Sequence, residues 1–175
     1  MRLRLWVTTL LIVSAAAVGS TRQSRPDAVS GTLTRTFQIV ADTDLTGDVT
    51  CAVADGTSCF AFASPAVELR LNGFTITGKG DPGTGCAGTP TAGEIGISTS
   101  ARNDVTVRGP GLVQRFRGHG VLVTGSTNAR VEGLTVSTNC GSGIFVPGTS
   151  FAALVEGNTS IRNGSAVAGA ACGGI

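Results

Sequence analysis

Val131-Glu132-Gly133-Leu134-Thr135-Val136 returns as Val155-Glu156-Gly157-Asn158-Thr159-Ser160, 24 residues further along the chain. A glycine opens a short apolar run ahead of each. Gly120-Val121-Leu122-Val123-Thr124 precedes the first, and Gly143-Ile144-Phe145-Val146-Pro147 precedes the second. An earlier copy reads Ile95-Gly96-Ile97-Ser98 and then Val105-Thr106-Val107-Arg108-Gly109, and Asn139 and Asn163 occupy matching places after the later two. Alternation at period two puts one set of side chains on one face of a strand. One copy cannot bury that face alone. Stacked copies bury a continuous Val/Ile/Leu core and satisfy each backbone group from the coils on either side. The expected fold is therefore all-β: a parallel β-helix, or solenoid, with coils of 23 to 26 residues. Each coil rises about 4.8 Å, the spacing between neighbouring strands. The hand is right, the usual one for parallel connections. Matching Asn residues at a turn are expected to hydrogen-bond up the stack.

The composition agrees. Of 175 residues, 26 are Gly and only 6 Pro; 41% are hydrophobic and 14% charged, too apolar for a disordered chain. The first residues read as a secretory leader: Arg2 and Arg4, then a mostly apolar run from Leu5 to Val18, with cleavage expected after Gly19 or, nearly as well, after Ala17. Residues 1–19 are assigned as this signal peptide, 20–35 as a polar linker, and 36–175 as the β-helix domain. The run falls short of a membrane span, so no membrane partner is expected once the leader is removed. Loss of Arg2 and Arg4 leaves 11 basic against 11 acidic side chains. A nucleic-acid-binding protein would keep a basic surplus. Trp6, the single Trp, also leaves with the leader, and the chain has no Tyr. The chain stops at Gly174-Ile175, which matches Gly143-Ile144 at the start of a strand. Further C-terminal coils or a capping partner are the expectation.

Val67-Glu68-Leu69-Arg70-Leu71-Asn72-Gly73-Phe74-Thr75-Ile76-Thr77-Gly78 resembles the L-D-L-N-G-H-T-I-x-G opening of bacterial right-handed β-helix repeat proteins of the pectin-lyase-like superfamily. Asn103-Asp104-Val105-Thr106-Val107-Arg108 and Val155-Glu156-Gly157-Asn158-Thr159 are similar to its later coils. The resemblance covers residues 36 to 175 and implies the fold. It departs from the pattern at Glu68, Arg70 and Phe74. The activities it implies are those of polysaccharide lyases, polygalacturonases, uronate epimerases and a copper-associated accessory protein of nitrous oxide reductase.

The candidate chemistry is sparse. His119 is the only His, in Gly118-His119-Gly120, which resembles the Gly-His-Gly of polygalacturonases. Inverting hydrolysis also needs two placed carboxyl groups, and no Asp-Asp pair accompanies it. A single His makes a copper or zinc site improbable. By the repeat, His119 aligns with Ser142 at a turn. Arg115 and Arg117 flank Phe116 at a turn aligned with Thr138-Asn139-Cys140, and Arg can grip a carboxylate in bidentate fashion. Phe116 is expected to fill the inside of that turn. Glu132 and Glu156 stack one coil apart on the outer face, with Arg108 at the same place one coil earlier. Calcium would need more oxygens than these two supply. The Gly78–Gly93 stretch reads as an excursion between coils that could line a groove.

The five cysteines of an exported chain suggest disulfides. Cys51 and Cys59 flank a hairpin-like turn at Asp55-Gly56, and Cys140 and Cys172 fall in matching turns one coil apart. Cys86 is left over. The preferred reading is a secreted or periplasmic, non-catalytic β-helix that binds polysaccharide or serves as a scaffold. Without Trp or Tyr, an acidic polysaccharide gripped by Arg is the favoured partner. Two alternatives stay open: a fragment of a polyuronate lyase, epimerase or glycoside hydrolase, and a copper-associated accessory protein.

Overall fold

The computed structural model describes residues 25–80, 93–164 and 174–175. The leader assigned to 1–19 lies outside them, as do Cys86 and Cys172 and most of the 78–93 excursion. The described residues are all-β, with fifteen strands and no helix. After β1 (Asp27–Leu33), the strands recur in sets. The first set is β2 (Phe37–Ile39) and the long β3 (Thr43–Cys51). Next come β4 (Ser58–Phe62), β5 (Glu68–Arg70) and β6 (Thr75–Thr77), followed by β7 (Ile95–Ser98), β8 (Thr106–Arg108) and β9 (Leu112–Gln114). The last two sets are β10 (Val121–Leu122), β11 (Arg130–Glu132) and β12 (Thr135–Ser137), then β13 (Ile144–Phe145), β14 (Leu154–Glu156) and β15 (Thr159–Ile161).

Each strand pairs in parallel with its counterpart one set away. β2-β4-β7-β10-β13 form one sheet, while β3-β5-β8-β11-β14 and β3-β6-β9-β12-β15 form two arms of another. Both arms share β3, which pairs with β5 through Thr43–Asp44 and with β6 through Val49–Thr50. This curled parallel arrangement is compatible with a parallel β-solenoid.

Register explains the core. Phe60, Ile97, Val121 and Ile144 are neighbours on one row; Leu69, Val107 and Val131 lie on a second; Ile76, Val113 and Val136 lie on a third. All ten are fully buried and belong to one apolar cluster. Burying such a side chain is worth roughly 1.5–3 kcal/mol relative to leaving it exposed. Close stacking leaves no room at some glycines. A Cβ on Gly96 would run into the Gly120 carbonyl of the next coil, so a side chain there would force the coils apart.

Corners turn through single residues in the left-handed region. Asp104, Asn128 and Ala152 (φ 57°, 57° and 51°) form one column, and Arg115, Thr138 and Arg162 (φ 59°, 54° and 55°) another. The Asn ladder is present. Phe116 N–H donates to Asn139 Oδ1 at 3.0 Å, and Asn139 N–H donates to Asn163 Oδ1 at 3.0 Å. Separations of 23 and 24 residues match the repeat. Phe116 fills its turn and is fully buried. Between β6 and β9 the separation widens to 37 residues, because the excursion after Gly78 is inserted there.

Two expectations need correction. Residues 27–33, inside the expected linker, form β1 and lie parallel to β3. Val29 is buried there while the residues around it stay largely exposed; strand pairing uses backbone groups and tolerates polar outward side chains. Cys51 and Cys59 do form a disulfide, with Cα atoms 5.7 Å apart, but not across a hairpin. β3 and β4 belong to different sheets, so the bridge closes a corner.

Candidate functional site

The sequence candidates fall into three places: an outer row of charges, a buried acid at the base of the excursion, and an aromatic groove.

The outer row runs across one arm of the sheet. Asp44, Arg70, Arg108, Glu132 and Glu156 occupy successive register positions. Glu132 and Glu156 are therefore neighbours, as the repeat predicts. Glu132 is not free: Arg108 Nη1 lies 2.7 Å from it and Arg130 Nη1 3.5 Å. Arg108 is also held by Glu68, which raises its pKa. Arg70 bridges Asp44 at 2.6 Å and Glu68 at 2.7 Å. That hydrogen bond holds the Asp44 carboxyl below its ordinary range. Such a row suits electrostatic matching between coils.

Arg117 is committed as well. Its Nε donates to Glu94 Oε2 at 2.8 Å, and its guanidinium also holds Asp55. Glu94 is fully buried, and its Oε1 accepts from the backbone N–H of Lys79 at 2.9 Å. Lys79 Nζ reaches Asp55 at 2.9 Å. The four side chains tie both ends of the excursion to the disulfide-closed corner and to the turn at Arg117. Nothing in the repeat pointed to Glu94: it stands just past the excursion, at the coil position that Gly118 occupies in the next coil, where no acid recurs.

Arg115 differs. It is exposed at its left-handed corner and forms no ion pair among the described residues. Gln114, Ser137 and Ile161 are register partners, so the residues that follow them, Arg115, Thr138 and Arg162, share a corner. Arg162 is likewise exposed and outside any ion pair among the described residues. Two coils separate the two arginines, about 10 Å at the usual strand spacing. The repeat could have exposed Arg162 as a partner to Arg115, but its neighbours read only as a turn.

His119 sits where its alignment with Ser142 placed it. Its Nδ1 accepts from the Ser142 N–H at 3.0 Å. Its ring stacks on Phe145, with centroids 4.7 Å apart and planes 23° apart. Burial lowers its pKa from 6.5, so the neutral ring is favoured. With Nδ1 accepting, the neutral ring carries its proton on Nε2. Leu122, Thr124 and Pro147 join the pair to line an open groove of about 350 Å³. A second, more polar groove of about 400 Å³ follows the corner of Asp104, Asn128 and Arg130.

The structure therefore separates the candidates instead of converging them. Arg115 lies on a corner, Arg117 in an ion cluster built on the buried Glu94, His119 against Phe145, and Glu132 and Glu156 on the outer row. Among the described residues no three His, Cys, Asp or Glu side chains converge to hold a metal ion, and no helix is long and apolar enough to cross a membrane. Cys140 is disulfide-bonded; its expected pairing with Cys172 falls on a residue outside the described set. Compared with protein-family models, curated proteins and solved structures, the chain matches none.

Proposed function

We propose that this chain is a secreted right-handed parallel β-helix of the pectin-lyase-like type, without catalysis of its own, that holds acidic polysaccharide along the corner of Arg115 and Arg162. The observation that carries the reading is the commitment of Arg117 to Glu94 and Asp55. Elimination from a polyuronate needs a base beside a cationic clamp on the substrate carboxylate. Arg117 cannot be that clamp without abandoning a buried carboxylate. Glu132, the best-placed acid, is neutralised by two arginines. Arg115 and Arg162, which share a corner, are exposed and in no ion pair among the described residues, and a guanidinium grips a carboxylate through two parallel hydrogen bonds. Export is supported by the Cys51–Cys59 disulfide, since such bonds persist in oxidising compartments.

Calorimetric titration with polygalacturonate tests this, alongside an assay for unsaturated product with and without calcium. Expected are weak, salt-sensitive binding that is lost in Arg115→Ala/Arg162→Ala, and no turnover. Turnover abolished by Glu132→Gln or Glu156→Gln would establish a hydrolase instead, and turnover abolished by Arg115→Ala a lyase.

A further inference from the structure

The groove beside His119 is built differently from the arginine corner. Phe145 is 40% exposed, and its ring forms a two-layer plate with His119. Among the described residues, no Lys, Arg, Asp or Glu side chain lines the groove. The nearest cation in sequence, Arg117, is held by Glu94 and Asp55. Two polar groups remain at the plate. His119 Nε2–H has no hydrogen-bond partner among the described residues, because the ring's one hydrogen bond is made through Nδ1. Thr124 uses its backbone N–H and carbonyl toward Thr99, which leaves its hydroxyl uncommitted among the described residues.

We propose that this groove is a binding site for a neutral pyranose ring. The charge argument is direct. Among the described lining residues an anion would find no cation, and a cation no carboxylate. A wholly apolar ligand would cover the Nε2–H without giving it an acceptor, which costs binding free energy. A pyranose meets both demands, with an apolar C–H face to lie on the Phe145 plate and hydroxyls to accept from Nε2–H and exchange a hydrogen bond with Thr124. The fixed tautomer matters here. The Ser142 N–H keeps Nδ1 an acceptor, so the neutral ring carries its donor on Nε2 before any ligand arrives.

The site is independent of the polyuronate reading, and salt separates the two. Because His119 is the only His, its imidazole resonances are free of overlap. The experiment is nuclear magnetic resonance of the ¹⁵N-labelled imidazole during titration with cellotetraose. Expected is a saturable shift that survives about 0.5 M sodium chloride, where an arginine-mediated contact would be screened. Phe145→Ala should weaken it by about tenfold or more, and Phe145→Trp should retain it. Circular dichroism of Phe145→Ala checks that the fold persists. Thr124→Val offers a second, milder loss. A flat titration with cellotetraose overturns the proposal. So does a shift produced by indole but not by the sugar, since the groove would then be an aromatic pocket. A sugar shift abolished by salt and by Arg115→Ala would also overturn it, by assigning the binding to the corner.

Discussion

Glu94 and Arg117 lie 23 residues apart and meet at 2.8 Å, with the Glu94 side chain wholly excluded from solvent. A buried carboxylate is tolerated only when paired. Arg117→Ala should therefore destabilise the fold by about 3 kcal/mol, the scale on which breaking a buried pair leaves one charge uncompensated. Arg117→Ala/Glu94→Leu should be less destabilised than Arg117→Ala alone, because the orphan charge is gone. Urea unfolding of the three proteins measures both differences. Equal midpoints for the single and double variants would show that the charge is not what matters.

Folding stability should fall in acid through His119. Burial depresses its pKa below 6.5 in the folded chain, so the unfolded chain takes up a proton first as pH drops. The resulting stability is fully present above about pH 6.5 and is lost progressively as pH falls from there toward the lower folded value. Protonation also removes the acceptor for the Ser142 N–H. Unfolding midpoints measured across this window should slope with pH, and His119→Gln should flatten that component. Asp44, held low by Arg70, adds a further loss only at and below the ordinary aspartate range near 3.8.

Asn139 links two coils. Its Oδ1 accepts from the buried Phe116 N–H, and its own N–H donates to Asn163. Asn139→Ala leaves the Phe116 N–H inside without an acceptor, a cost of about 1–3 kcal/mol. Asn163→Ala should cost less, because Asn163 is only partly buried. Amide exchange at Phe116 should quicken in Asn139→Ala; unchanged exchange would mean that another group takes over.

The Cys51–Cys59 bridge spans 8 residues of sequence. Closing so short a loop restricts the unfolded chain by about 2.5 kcal/mol in the chain-entropy account. Cys51→Ala/Cys59→Ala should lower stability by about that amount, and somewhat more because both side chains are buried. Thermal unfolding of the variant against the oxidised parent gives the value.

The repeat alone determined a good deal. Strict alternation decides which side chains turn inward, and a constant offset decides which stack. Val107 on Val131 and Glu132 beside Glu156 therefore followed from spacing, as did the Asn139–Asn163 ladder. These relations are local in the stack, one coil to the next, so period and register suffice. β1 escaped because one buried Val in a polar segment carries no periodic signal. The tertiary structure decided the charges. Whether an arginine is free depends on which acids surround it, and Glu94 reaches Arg117 from the foot of the excursion on the neighbouring coil. The same holds for the His119–Phe145 plate. Sequence spacing put the two rings on adjacent coils, but their stacking and the tautomer of His119 follow from three-dimensional packing and from the Ser142 N–H.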